Sequence, residues 1–169
     1  SGCHDAATVY RFKLSVDTEV DGVAQTSFAV FEEGVARSKW GSGYDYFSDG
    51  DAIVIPIGAD RLVIPTLGPN SPQKELETVW RSVAMRGSRR LLPASQWPPL
   101  LVFRANKTAQ YFPTKDIGPI FDNRVELKSV SVELTHEPVT HNLGRHLRWY
   151  AVPATPYNGC AYDYEFYLY

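Results

Sequence analysis

Three of the four histidines fall in one short run, at His136, His141 and His146, with Glu137 beside the first. Imidazoles with carboxylate support at close spacing are what a zinc site is made from. The metalloprotease pattern sets two His at i and i+4 on one helix, with Glu after the first. Here His136 and His141 are five apart, and Pro138 interrupts any regular helix between them. Five residues also turn about 140° around a helix, so His141 and His146 cannot share a helical face. These side chains are read as surface and loop histidines, with a metal site as the alternative their spacing disfavours. No metal and no cofactor is expected.

A nucleophile and paired acids are the other routes to chemistry. No Gly-x-Ser-x-Gly occurs, and Cys160 sits in Asn158-Gly159-Cys160-Ala161. A Cys in such a tail is more often packed or disulfide-bonded than catalytic. Asp45, Asp49 and Asp51 lie in an aromatic, Gly-rich stretch, residues 40–51. Two carboxylates can split a glycosidic bond, and aromatics can stack on sugars. The calcium-loop spacing is absent, since Asp49-Gly50-Asp51 is only a fragment of it. The plain reading is a turn with solvated charges. The functional reading is a loop that binds a protein or glycan partner, because aromatics dominate interface hot spots. Trp40, Tyr44, Asp45, Tyr46 and Phe47 are then the partner-binding residues.

Cys3 follows Ser1 and Gly2. Such a tripeptide looks like the end of a bacterial lipoprotein signal peptide, cut before the Cys, whose sulfur then carries the lipid. Cys3 is therefore the expected lipid-attachment residue. A Cys3–Cys160 disulfide, or two plain thiols, are the alternatives. The basic runs Arg86-Gly-Ser-Arg-Arg90 and Arg145-His-Leu-Arg148 could meet anionic headgroups near an anchor, or could be solvated ends of elements. The closing stretch, residues 161–169, alternates with aromatics and reads as an edge strand that could pair with a partner.

The elements that must position these residues follow from periodicity. Tyr10, Phe12, Leu14 and Val16 alternate and predict a half-buried strand. Asp21-Gly22 predicts a type I′ hairpin turn, with a return strand over 23–32 that turns Phe28 and Val30 to one face. Residues 33–50 read as an irregular loop with a short strand near 35–40. Residues 51–57 and 62–67 predict a strand pair joined by a turn at 58–61. Pro56 and Pro65 place those strands at an edge, a bulge or an interruption. Ser71-Pro72 opens an amphipathic helix with Leu76, Val79, Trp80 and Val83 on one face, and Gly87 ends it. A helical turn near 94–97 precedes a central strand at 100–103, which pairs with 108–112. Residues 125–135 alternate with one phase change near Ser129, the mark of a bulge.

The fold class expected is α+β: a mainly antiparallel sheet of about seven strands with one packed amphipathic helix. Residues 1–9 read as a lipoprotein-type tether of roughly 20 Å reach after Cys3, and 10–169 as a single domain. The 169 residues carry a net charge of -2, which gives no electrostatic support for nucleic acid binding. No apolar run of bilayer-spanning length occurs.

Five segments taken in order resemble a group of small uncharacterised proteobacterial lipoproteins, many of which begin Ser-Gly-Cys. They are Tyr10-Arg-Phe-Lys-Leu-Ser-Val, Gly50-Asp-Ala-Ile-Val-Ile, residues 92–103, residues 127–140 and Arg148-Trp149. No single segment is specific; the ordered set is, and residues 151–169 are extra to it. The resemblance implies a secreted lipoprotein and no activity. The role expected is non-enzymatic: a lipid-anchored domain on the periplasmic face of a bacterial membrane that binds another protein, as an immunity protein, inhibitor or assembly factor does. An envelope hydrolase acting on glycan or peptide, and a lipid- or sugar-binding module, are the alternatives.

Overall fold

A computed structural model describes residues 6–37, 44–58, 60–65, 79, 82–97, 100–103, 109–112 and 125–146. For 6–9, 35–37, 44–48, 60–65, 100–103, 109–112 and 144, the backbone alone is described.

Strands β1 (Ala6–Val20) and β2 (Val23–Arg37) form a long antiparallel hairpin. Its turn is the expected two-residue one, with Asp21 at φ 50° and Gly22 at φ 79°. Two positive φ values in succession are the type I′ signature, and their twist matches that of the flanking strands. The turn sets the register: Val20 opposes Val23, Leu14 opposes Ala29 and Phe12 opposes Phe31. Partners opposite each other share a face. Phe12, Leu14 and Val16 are buried together with Ala29 and Phe31. Phe28 and Val30 do share one face, as expected, and it is the face turned away from this cluster. Phe28 points outward and is 41% exposed, and Val30 is buried on the opposite side from the main core. β1 also starts at Ala6, four residues before the expected Tyr10.

The irregular loop expected over 33–50 is corrected: its described residues are mostly strand, and the short strand expected near 35–40 begins as the end of β2. β2 continues to Arg37, and Tyr44–Asp49 forms β3, paired antiparallel with Glu32–Arg37. β4 (Ala52–Ile57) and β5 (Asp60–Pro65) make the next hairpin, with Gly58 at φ 58° in its turn. Helical backbone at 79 and 82–84 ends at Gly87, φ 104°, where the Gly87 N–H reaches the Ala84 carbonyl at 3.2 Å. That is the expected stop. Ala84 is fully buried in the core and Val83 packs against it; residues 71–78, 80 and 81 lie outside the described set. A two-residue strand β6 (Arg90–Leu91) and a 3-10 turn (Ala94–Gln96) lead to β7 (Leu100–Phe103), β8 (Ala109–Phe112) and β9 (Val125–Leu134).

The described strands number nine rather than about seven, and they form two antiparallel sheets. The first has the order β3-β2-β1-β9-β6, the second β4-β5-β7-β8. β7 is central, as its apolar run predicts. β4 is terminal in its sheet, which is where a strand carrying Pro56 belongs. The inner face of the first sheet packs on Ile53, Ile55 and Ile57 of β4, with Ala84 and Leu92 closing the cluster. Leu14, Val16, Ile53 and Ile55 are wholly buried, each worth roughly 1.5–3 kcal/mol of transfer free energy. The Phe12 and Phe31 rings lie 5.3 Å apart at 36°, a tilted pair that adds about 0.5–1.5 kcal/mol.

β9 carries the predicted bulge. The register against β1 slips between Asp17 and Thr18, and Lys128 is the residue skipped. Before the slip Val125 and Leu127 are buried; after it Val130 and Val132 are. A period-two strand can change phase only by inserting such a residue. Polar groups fill the outer side of the kink. The Ser129 hydroxyl donates to Asp17 at 2.5 Å and the Thr26 hydroxyl at 2.7 Å. Arg89 stands 3.7 Å from the same carboxylate and donates from Nε to Ser131 at 2.9 Å. Those two hydroxyl bonds, and then the Arg89 charge, hold the Asp17 carboxyl below its ordinary pKa. Arg89, one of the three arginines in the suggested headgroup-binding run 86–90, is thus drawn onto the sheet. Lys128 bridges Glu126 at 2.7 Å and Glu19 at 3.3 Å, which raises its pKa, the Glu126 bond first.

Candidate functional site

The histidine-bearing segment after β9 is a strap across the outer face of the first sheet. It leaves the sheet where the Thr135 N–H meets the Arg11 carbonyl at 3.1 Å. Glu137 then takes the Lys13 ammonium at 2.7 Å. Lys13 also lies over the Phe28 ring, 4.2 Å from its centroid. Thr140 bonds both ways to Val30: its hydroxyl accepts from the Val30 N–H at 3.0 Å and its own N–H donates to the Val30 carbonyl at 3.1 Å. The strap ends in one helical turn, Leu143–His146, whose first N–H donates to Asp51 Oδ2 at 2.7 Å. Asp51 Oδ1 accepts from the Ala52 N–H at 2.5 Å.

The sequence-level candidates separate on this frame. Asp51 is buried and joined to backbone groups, so it fastens the strap. Asp49 and His141 do meet, at 3.7 Å, but both lie more than half exposed on open surface. Asp49 Oδ1 also accepts from the Gly50 N–H at 2.8 Å. His136 and His146 are exposed at different points of the strap. Among the described residues no group of three or more His, Cys, Asp and Glu could hold a metal ion. Cys3, Trp40, Cys160 and the C-terminal stretch lie outside the described residues. Tyr44, Asp45, Tyr46 and Phe47 are described as backbone, opposite Arg37, Ala36, Val35 and Gly34. They lie on β3, a terminal strand of the first sheet, and not in a loop.

A hollow of about 350 Å³ opens where the strap leaves the sheet, lined by Tyr10, Arg11, Glu32, Leu134, Thr135 and His136. Arg11 Nε donates to Glu32 at 2.6 Å on one face of the hairpin. The Tyr10 hydroxyl donates to buried Glu33 on the other. Alternation alone does not single out Arg11, Glu32 or Glu33. The signal was present: a two-residue turn centred on Asp21-Gly22 sets Tyr10-Arg11 opposite Glu33-Glu32.

Comparison with family models, with curated proteins and with solved structures finds no match for this chain. No helix among the described residues is long and apolar enough to cross a membrane.

Proposed function

We propose that this protein is a lipid-anchored module of the bacterial cell envelope that binds a protein partner, with Cys3 as the lipidated residue. The observation that carries the reading is the position of the aromatic segment. Tyr44, Tyr46 and Phe47 lie on β3, at the edge of a sheet. An edge strand offers unpaired backbone groups to an incoming chain, and aromatics supply the anchoring area beside it. An immunity-like, inhibitor-like or assembly role fits a small tethered module of this kind.

The test is a photo-crosslinking amino acid at position 46 of the full chain in cells, against the same label at the exposed position 126. The expected result is one protein adduct specific to position 46. Labelling at neither position, together with tight binding of a purified envelope glycan, would overturn the reading. The anchor is tested separately: a lipid mass increment on native protein, lost in Cys3→Ser.

A further inference from the structure

A second edge lies on the same sheet. In a two-residue hairpin whose turn-flanking pair is Val20 and Val23, the odd residues of β2 bond to β1. The even residues therefore aim their N–H and C=O groups away from it. Along β2 those groups go to β3 from Glu32 onward, and to Thr140 at Val30. Among the described residues nothing pairs with Ala24, Thr26 or Phe28 on that side. All three are exposed, as is Val23 at 67%. The window runs from the hairpin tip at Gly22 to the strap contact at Val30, and its midpoint is Thr26.

We infer that this window pairs with its own copy, β2 against β2 antiparallel about a two-fold axis at Thr26. The register follows from the ends of the window. Centring on Thr26 sets Ala24 opposite Phe28 of the other copy, and the other copy's chain turns away at Gly22, level with the strap contact at Val30. A shift of the axis toward Val30 drives the tip into the strap. A shift toward Gly22 forfeits bonds. The axis at Thr26 makes a bonded pair there and two more at Ala24–Phe28, so every donor and acceptor of the window left unpaired among the described residues is used. Side chains suit this pairing. Residues 23–31 carry no charge, so no like charges meet at the axis. A small residue faces a large one at Ala24–Phe28, and Thr faces Thr at the centre. This edge also lacks the Lys and Pro that ordinarily protect an exposed strand. The contact is isologous, so it closes at two copies, and it leaves β3 and the hollow open in each.

Sedimentation equilibrium tests it on the full chain with Cys3→Ser and Cys160→Ser, so that no native disulfide links the copies. The mass should rise from one chain toward two between about 10 μM and 1 mM, the weak range of a small interface. Thr26→Lys should weaken association at least tenfold, because like charges then meet at the axis, while each Lys faces Asp17 within its own hairpin. As a second measurement, Thr26→Cys in the same background should crosslink two copies on mild oxidation, and Glu126→Cys should not. A monomer at every concentration overturns the inference, as does association unaffected by Thr26→Lys in a folded variant. Should Thr26→Lys fail to fold, the cysteine pair decides, and equal crosslinking at 26 and 126 overturns it.

Discussion

Replacing Asp51 distinguishes a fastening carboxylate from a catalytic one. Its two oxygens accept from Ala52, next in the chain, and from Leu143, across the sheet. A hydrogen bond to a charged group contributes about 1.5–3 kcal/mol, and a buried donor left without a partner costs about 1–3 kcal/mol. Leu143 is 6% exposed, so in Asp51→Ala its N–H loses both the bond and ready access to water. The Ala52 bond is local and contributes little, because the turn holds that geometry without it. Asp51→Ala should therefore cost about 3 kcal/mol. For a chain of this size that is roughly 6–12 °C in Tm. Asp51→Asn keeps one accepting oxygen but presents an amide N–H to one of the two donors, and should cost about 2 kcal/mol. Urea unfolding of both variants gives the magnitudes. Amide exchange at Leu143 gives the location, and should accelerate there before the core strands respond. A cost under about 0.5 kcal/mol in both variants, or a loss of stability that leaves exchange at Leu143 unchanged, would refute the fastening role.

Gly50→Ala should cost about 2–4 kcal/mol in urea unfolding, since Gly50 sits at φ 109° and a Cβ would stand 2.9 Å from Phe31 Cδ1 and 3.0 Å from the Val30 carbonyl. Gly22→Ala meets nothing within 4 Å and should cost only about 1 kcal/mol, for its φ of 79° alone. Leu14→Ala, at a wholly buried site, should cost about 3–5 kcal/mol. Asp17→Asn should show its full deficit above the ordinary carboxylate range. The folded-state pKa is lowered from 3.8, so the charged form stabilises at higher pH and that contribution is lost as pH falls through the lowered value. The urea midpoints of wild type and variant should differ at pH 7 and converge as pH falls below the lowered value.

The hairpins and the bulge were legible because each rests on a local rule. Asp21-Gly22 needs two positive φ values, and the phase change near Ser129 needs one inserted residue. Which face of β2 meets the core cannot be read from its alternation alone: Phe28, Val30, Ala29 and Phe31 are all apolar. Only the register inherited from the turn decides that Ala29 and Phe31 meet the core, and that constraint spans two strands. β3 is hidden in the sequence for a related reason. Gly, Ser and Asp around Tyr44 resemble a loop, and pairing with Glu32–Arg37 overrides that composition. The division into two sheets is not visible in the sequence, because alternation shows where strands lie and not which strands pair.

The residues with the most chemical character were also the least informative about chemistry, and the strap explains why. A segment that crosses a sheet face touches the ladder at few points, here Thr135 on Arg11 and Thr140 on Val30, and must otherwise hold its position by side chains. Groups able to do that are charged or hydroxylic: Glu137 on Lys13, Thr140 on Val30, and Asp51 on Leu143. The same residue types populate active sites, so sequence places them on both lists. Burial separates the two uses. Asp51 is buried and takes backbone donors, whereas Asp49 and His141 touch in the open, where solvent screening leaves an ion pair worth at most about 1 kcal/mol. Replacing Asp49 should then barely change stability, while Asp51 changes it by several times as much. Two acids two residues apart would thus respond very differently, although their surroundings in the sequence are nearly the same.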